Sequence, residues 1–274
     1  MAVAARFGRD VTQCLEQVRR ILADARERGA QLVVLPESAL GGYLYEPHVP
    51  GAPAPCAAPP ALRRDGEEIA RVAQLAGDMV VCIGYTEAGP DGPYSSAVCV
   101  NADGILGHHR KVHLPVGERT VFRPGSRFAA FDTPIGRIGM LVCYDKTFPE
   151  AARQLALDGA GLIASLSAWP VCRVDPATLM RRDLQVRHFN LLDQTRALEN
   201  QVVWVSANQV GRFGRLRFPG QAKVVDPRGR VLAKTGSRAG SALARVDAPG
   251  VVAAARDRLS YLDDRRPLAY AVGA

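Results

Sequence analysis

Apolar positions along the chain follow two spacings, one typical of helices and one typical of buried strands. Residues 10–28 carry apolar side chains three and four positions apart, which predicts an amphipathic helix that Gly29 ends. Continuous apolar runs at 31–36 and 137–143 predict short buried strands. The same criteria predict further helices over 63–76, 149–158 and 176–200, and further strands over 79–85, 94–100, 105–111, 162–166, 202–208, 221–226, 230–234 and 242–247.

The order of these elements limits the fold class. There are more strands than a simple strand–helix alternation needs, which favours an α/β protein with a mixed sheet, or two packed sheets, flanked by helices. A TIM barrel fits less well. No linker or internal repeat interrupts residues 1–274, so we expect a single domain. Residues 46–60 hold six of the 19 prolines, which excludes a helix or a central strand there and leaves an inert surface loop or a lid.

Composition excludes several protein classes. A chain of 274 residues that is 47% hydrophobic and 23% charged is typical of a globular protein and not of a disordered one. No apolar run reaches the roughly 18 residues of a membrane span, and no secretory signal is visible at the N-terminus. The six cysteines contain no C-x-x-C pair, which excludes zinc ribbons and thioredoxin motifs. We therefore expect free thiols and a cytoplasmic location.

The net charge of +8 first raises the question of nucleic-acid binding. The basic residues are spread along the chain, however, and aromatic residues (6%) do not interleave with them. A solvated basic surface without a nucleic-acid partner is the better interpretation. The five histidines show no metal-ligand spacing, and neither a G-x-S-x-G elbow, a Walker A loop nor an H-E-x-x-H motif is present, so we expect neither a metal nor a cofactor.

Three reactive side chains stand at the ends of predicted strands. Glu37 ends LVVLPE, Lys111 ends GILGHHRK, and Cys143 ends IGMLVC directly before a helix-starting segment. A cysteine at such a turn can be held as a thiolate by helix-terminal amides and a nearby ammonium group. A carboxylate can act as its base, and a lysine can hold an oxyanion. Together they provide the groups needed for thiol-based acyl transfer.

The segments around these residues resemble the nitrilase superfamily of carbon–nitrogen hydrolases, along essentially the whole chain. The resemblance rests on blocks at 35–37 (LPE), 110–118 (RKVHLPVGE), 139–145 (GMLVCYD) and 148–150 (FPE), followed by 196–200 (RALEN), 207–208 (AN) and 264–267 (DRRP). It implies a four-layer α-β-β-α sandwich of two mixed sheets flanked by helices. It also implies a homodimer or larger oligomer, and we expect the C-terminal tail, about 256–274, at the subunit interface.

The resemblance also implies a role for each block's reactive residue. Cys143 would be the nucleophile and Glu37 the general base. Lys111 would stabilise the oxyanion, together with the backbone N–H of Tyr144. Glu118 would be a supporting glutamate that orients the substrate and Lys111. We expect the charge of Lys111 to favour the Cys143 thiolate.

The residues that follow the nucleophile point to a branch of the superfamily. True nitrilases typically carry Trp-Glu there, whereas Tyr144-Asp145 looks like the amidase and carbamoylase branches. The expected reaction is hydrolysis of a small linear amide through a Cys thioester, with release of ammonia. The alternatives are an N-carbamoyl amidohydrolase, a nitrilase, a thioester-based acyltransferase and a non-catalytic binding subunit. Two departures leave the branch open: the Gln expected near the first strand is missing from Val3–Arg6, and Ala222 replaces a common Ser.

Four further side chains are candidates for the substrate pocket, namely Tyr43, Lys146, Trp169 and His188. Lys146 lies three residues after the nucleophile and is either a contact for a substrate carboxylate or a surface lysine. Trp169 follows a predicted strand and fits a pocket or a core equally well.

Overall fold

The computed structural model describes residues 1–45 and 57–270. In chain order, its strands are β1 (Ala2–Ala5), β2 (Leu32–Val34), β3 (Val80–Gly89), β4 (Gly92–Asn101), β5 (Gly104–Arg110), β6 (Phe131–Thr133), β7 (Gly136–Val142), β8 (Leu162–Ser167), β9 (Val203–Phe213), β10 (Leu216–Pro219), β11 (Lys223–Val225), β12 (Val231–Lys234) and β13 (Gly240–Ala242). Its α-helices are α1 (Val11–Glu27), α2 (Glu67–Ala76), α3 (Pro149–Leu157), α4 (Leu184–Asn200) and α5 (Ala248–Arg258).

The strands form two mixed half-sheets that are joined along one edge. Hydrogen-bonded neighbours run in the order β5-β4-β3-β2-β1 and continue as β9-β8-β7-β6. The parallel pairing of β1 with β9, at Ala4 with Asn208 and Ala5 with Gln209, links the halves. At the opposite edge β5 approaches β6 and β7, so the two halves nearly close on each other. The two sheets of the prediction are therefore present as one continuous strand path.

Three layers of apolar side chains separate the secondary-structure layers. One fills the space between α1, α2 and the first half-sheet, and includes Val18, Leu22 and Val33. A second lies between the two half-sheets. A third packs α3 and α4 against the second half-sheet around Trp204. The succession helix, sheet, sheet, helix confirms the four-layer α-β-β-α architecture.

Capping residues fix where two of the helices begin. Asp10 accepts a hydrogen bond from the Gln13 N–H (3.0 Å) and starts α1 close to its predicted position. Asp183 accepts from Gln185 and Val186 (3.0 and 3.2 Å), so α4 begins there and not at 176. The Asp183 carboxylate also accepts the Cys172 N–H (3.1 Å), which ties the preceding loop to the helix start. The predicted helix over 176–200 was thus too long.

Other predictions differ from the structure in smaller ways. The helix expected from 63 begins at Glu67, after Gly66. Strands β6 and β10 and helix α5 were not predicted, because they are short or carry mixed polar and apolar positions. The proline-rich segment lies outside the described residues from 46 to 56, so its role as a lid stays a prediction. Within the described ranges, no helix has the length and apolar character needed to cross a bilayer.

Candidate active site

Three sequence-predicted side chains converge at the same end of the two half-sheets. Glu37 follows β2, Lys111 follows β5, and Cys143 follows β7, as the carboxyl ends of packed strands allow. Gly84 on β3 makes room for this convergence, because a Cβ at that position would lie 2.6 Å from the Glu37 Cα. A glycine is therefore required beneath the glutamate.

Glu37 is fully buried and held by four hydrogen bonds. Its Oε1 atom accepts from the Lys111 ammonium (2.8 Å) and the Ser95 hydroxyl (3.1 Å). Its Oε2 atom accepts from the backbone N–H of Ala168 (2.9 Å), and its carbonyl accepts from Gln209 (3.0 Å). These contacts leave the carboxylate a single orientation.

Lys111 bridges Glu37 to a second buried carboxylate, that of Glu118. The Lys111 Nζ atom lies 2.6 Å from Glu118 Oε1, which also accepts the Tyr43 hydroxyl. Burial disfavours the ammonium form of Lys111, but the charges of Glu118 and Glu37 outweigh it and raise the pKa of Lys111. Burial raises the pKa of Glu118 to about 7, although the Lys111 charge opposes this. Glu118 Oε2 is buried and has no hydrogen-bond partner among the described residues, and Glu118 is one of the residues that line the cavity.

Cys143 begins a short 3-10 helix, Cys143–Thr147, at the end of β7. Its backbone has a φ of 49°, in the left-handed region that non-glycine residues rarely adopt. Such a sharp turn between strand and helix presents the side chain outward from the sheet edge. Cys143 is 6% exposed and lines a cavity.

Asp145 fixes the turn that begins at Cys143 to the segment that follows Lys111. Its buried carboxylate accepts the backbone N–H groups of Val142 (3.2 Å) and His113 (2.9 Å) and the His109 ring nitrogen (2.9 Å). Burial opposes the charge of Asp145, but the hydrogen bonds from His109 and His113 outweigh it and lower its pKa to about 2. The sequence marks Asp145 only as part of the block around Cys143 and of the Tyr144-Asp145 pair; its role as a brace depends on side-chain contacts across three segments.

The protonation of Cys143 differs from the sequence-based expectation. Burial raises the pKa of the thiol well above its usual value, and the charge of Glu37 adds to this shift. Lys111 lowers the pKa, but its ammonium is shared between two carboxylates and does not prevail. Burial thus outweighs the stabilisation of the thiolate that was expected from Lys111, and a base that takes up the thiol proton fits this environment.

The cavity above Cys143 has a volume of about 470 Å³. Its wall is mostly apolar, and Glu118 and Cys143 lie at its polar end. The described residues that line it are Tyr43, Pro115, Val116, Gly117, Glu118, Cys143, Tyr144, Ala168, Trp169, Pro170, Val171, Cys172, Arg173, Val174, Gln185 and Leu216. Sequence reasoning missed Arg173 and Cys172, because nothing in their spacing marks the loop that carries them.

The structure separates the pocket candidates into two groups. Tyr43, Tyr144 and Trp169 line the cavity. Lys146 is neither a surface lysine nor part of the cavity wall: it is fully buried and pairs with Asp193 (2.8 Å). The pocket role of His188 is wrong, since its side chain is exposed on α4 while its neighbour Phe189 takes the inward position.

Comparison with known proteins agrees with this geometry. The family model for carbon–nitrogen hydrolases matches residues 3–256. The chain belongs to the carbon–nitrogen hydrolase family. It is 34% identical over 219 residues to a nitrilase from Pyrococcus abyssi, covering 79% of this chain and 76% of that protein. It is 27% identical over 289 aligned positions to the N-carbamoylputrescine amidase of Arabidopsis thaliana, covering 96% and 90%.

Solved structures show the same fold. A carbon–nitrogen hydrolase from Helicobacter pylori superposes with a TM-score of 0.82 at 25% identity, over 98% of this chain and 95% of that chain. An amidase from Nesterenkonia sp. AN1 superposes with a TM-score of 0.75 at 25% identity, over 97% and 95%.

Across residues 1–45 and 57–270, no group of three or more His, Cys, Asp or Glu side chains could hold a metal ion.

The raised pKa of Glu118 makes stability depend on pH in a defined window. Between pH 4.5 and 7 the folded protein retains a proton on Glu118 that the unfolded chain has lost. The contribution of Glu118 to the free energy of unfolding is therefore fully present below pH 4.5 and is lost as the pH rises through 7. Urea unfolding at pH 5, 6, 7 and 8 should show a shallower decline for Glu118→Gln than for the wild type.

A matched control is Glu27→Gln, which removes an exposed carboxylate at the end of α1. This variant should keep the wild-type slope. Parallel curves for the wild type and Glu118→Gln would contradict the assignment of the proton to Glu118.

Proposed function

We propose that the protein hydrolyses a small linear amide through a thioester on Cys143, releasing ammonia. The observation that carries this proposal is the placement of Cys143 beside the buried Glu37–Lys111–Glu118 cluster, at the polar end of an apolar cavity. The amide group would lie at the polar end and the acyl group along the apolar wall. Family membership and the similarity to amidases support the same reaction class.

The first half of the reaction forms the acyl-enzyme. Glu37 takes the proton of the Cys143 thiol as the sulfur attacks the amide carbon. The negative charge on the carbonyl oxygen is stabilised by Lys111 and the Tyr144 N–H. The C–N bond then breaks as the proton held by Glu37 passes to the nitrogen. Ammonia departs, and the acyl group remains on Cys143 as a thioester.

The second half returns the enzyme to its starting state. Glu37 takes a proton from water, whose oxygen attacks the thioester carbon. The C–S bond breaks, the sulfur regains the proton from Glu37, and a carboxylic acid leaves. Glu118 holds Lys111 and has an oxygen, Oε2, free to contact the substrate.

The Arabidopsis relative favours one second candidate, an N-carbamoyl compound R-NH-CO-NH₂. The same thioester chemistry would then release ammonia, and the carbamic acid product would decompose to carbon dioxide and an amine. A panel of small amides, N-carbamoyl compounds and nitriles, assayed for ammonia and carbon dioxide, separates these substrates. An acyltransferase would release little ammonia until an amine acceptor is added, and no ammonia from any compound, with or without the acceptor, would indicate a binding subunit.

The cavity wall predicts which amides react fastest. Arg173 is the charged side chain of the wall that no hydrogen bond or ion pair joins to the described residues, and it lies in the loop that follows Trp169. Amides with an apolar chain ending in a carboxylate should therefore have a lower KM than uncharged amides of equal length. Arg173→Ala should raise the KM of the carboxylate substrate about tenfold and leave that of the uncharged amide unchanged.

The matched control is Arg217→Ala, which removes the same charge from an exposed position on β10 outside the cavity wall. It should leave both KM values unchanged. Equal effects of the two variants would indicate general charge attraction and would contradict a contact at Arg173.

The two glutamates should fail at different steps. Glu37→Gln removes the base, so acylation and deacylation should each slow by about 10²–10⁴-fold. Glu118→Gln misplaces Lys111, at a cost of about 10²-fold, but leaves the base in place. Intact mass after quenched turnovers should find an acyl adduct on Cys143 in Glu118→Gln and almost none in Glu37→Gln. Cys172→Ser is the control for the second thiol that lines the cavity. An acyl adduct in Glu37→Gln and almost none in Glu118→Gln would contradict the roles assigned to the two glutamates.

We further propose that the chain acts as one domain over residues 1–274 and forms a homodimer through α4 and the tail after α5. Exposed leucines recur every seven residues on α4, at Leu184, Leu191 and Leu198. The start of the tail is tied to the end of α4, because the Gln201 amide donates to the carbonyl of Leu259. Sedimentation should give a dimer for the wild type and a monomer for Leu191→Glu, whereas Leu232→Glu, on β12, should stay dimeric.

A cytoplasmic location remains a prediction from the sequence.

A further inference from the structure

Two neighbouring serines on β4 donate hydrogen bonds to two different buried glutamates. Successive side chains of a strand point to opposite faces of the sheet. Ser95 donates to Glu37 Oε1 (3.1 Å), whereas Ser96 donates to Glu87 Oε2 (2.7 Å). Glu37 is the base of the proposed reaction, and Glu87 takes no part in it. The effect of the Ser95 hydroxyl can therefore be separated from that of a buried hydroxyl in general.

Ser95 contacts both members of the Glu37–Lys111 ion pair. Its hydroxyl donates to the Glu37 carboxylate, and its carbonyl accepts the backbone N–H of Lys111 (2.8 Å). In the strand order β5-β4-β3-β2, Ser95 lies between the strands whose ends carry Lys111 and Glu37. Ser95 is 2% exposed, so both contacts are made inside the protein.

The two carboxylate oxygens of Glu37 have different hydrogen bonds. An ionised carboxylate offers about two acceptor sites on each oxygen. On Oε1 both sites are taken, by the Lys111 ammonium (2.8 Å) and the Ser95 hydroxyl. On Oε2 one site is taken, by the Ala168 N–H (2.9 Å). With respect to the described residues, the acceptor site that remains is therefore on Oε2.

The oxygen with the remaining site is the one that is held from the cavity wall. Ala168, which donates to Oε2, lines the cavity together with Cys143. Ser95 and Lys111, which donate to Oε1, are not among the described residues of that wall. The two oxygens are thus bound from different sides, and the saturated one is bound from the sheet.

We propose that Ser95 is a positioning residue that fills the second acceptor site of Glu37 Oε1 and so directs the thiol proton to Oε2. The inference rests on the proposed function, in which Glu37 is the base for Cys143. In that step the S–H bond breaks and an O–H bond forms on Oε2, from which the proton later passes to the departing nitrogen. As a donor, the Ser95 hydroxyl also stabilises the ionised carboxylate, which is the form that acts as a base.

The experiment measures the rate of iodoacetamide alkylation of Cys143 from pH 4 to 9, with each modified cysteine assigned by peptide mass mapping. Cys172 lines the same cavity and reports access of the reagent in every sample. The variants are Ser95→Ala, Ser96→Ala and Glu37→Gln. The titratable groups of the described residues that face Glu37 are those of Tyr43, Lys111, Glu118 and Cys143, and all of them are retained in both serine variants.

Ser96→Ala is a matched control for Ser95→Ala. Both serines are buried, and each glutamate keeps a charged donor when its serine is replaced. Glu37 keeps the Lys111 ammonium, and Glu87 keeps the Arg110 guanidinium (2.7 Å). A general cost of losing a buried hydroxyl therefore falls on both variants.

The proposal predicts different pH profiles for the two serine variants. In Ser95→Ala the acidic midpoint of Cys143 alkylation should rise by about one pH unit, and the rate below it should fall about tenfold, because the ionised carboxylate loses a donor. Ser96→Ala should match the wild type, and the Cys172 rate should stay constant. Equal midpoints for the two serine variants would overturn the proposal. If Ser95→Ala fails to fold, Ser95→Cys replaces it; its weakly donating thiol should give a smaller rise, and a wild-type midpoint would overturn the proposal.

A neutron structure of the wild type, at a pH below the midpoint, locates the proton directly. It should show a deuteron on Glu37 Oε2, and a deuteron on Oε1 would overturn the proposal.

The alkylation profile of Glu37→Gln tests the proposed function separately. Alkylation of Cys143 in this variant should be slow and should lack the acidic midpoint. An unchanged profile in Glu37→Gln would contradict the base on which the proposed function depends. Because alkylation needs no amide substrate, absence of amide hydrolysis with all the predicted profiles intact would contradict the proposed function alone.

Discussion

The site depends on one buried ammonium group, that of Lys111, held between the carboxylates of Glu37 and Glu118. Removing one member of a buried ion pair costs about 3–5 kcal/mol, because the partner charge is left uncompensated. The three groups therefore hold each other in place, and their arrangement joins the end of β2, the end of β5 and the loop that follows. Strand order, the glycine at position 84 and the Tyr43 hydroxyl all serve this arrangement.

The cluster of Glu37, Lys111 and Glu118 fixes the orientation of its three side chains but provides no net positive charge. Burial raises the pKa of the Cys143 thiol beside it, and the charges of Glu37 and Glu118 oppose the lowering effect of Lys111. In the proposed reaction, general-base catalysis by Glu37 is then a requirement and not an accessory.

Much of this fold could be predicted from apolar periodicity, because α1, the buried strands and the β4–β5 hairpin follow simple spacing rules. The start of α4 was harder to predict. The sequence shows a continuous helical pattern from 176, whereas the Asp183 side chain caps the helix where it actually begins. Glu37, Lys111 and Cys143 could be singled out because each ends a strand. Lys146 could not be placed, since a lysine next to a turn is usually solvated, and its partner Asp193 lies 47 positions away.

The double role of Asp183 has a consequence for how related enzymes can acquire new substrates. This carboxylate fixes the backbone of the loop at Cys172 as well as the start of α4, and the Val171 N–H is held by the Arg217 carbonyl (2.9 Å). Both anchors act on the main chain, so neither depends on which side chains the loop carries. Positions 171, 173 and 174 can therefore diverge in size and charge without reshaping the wall, and selectivity can evolve there while the catalytic geometry remains unchanged.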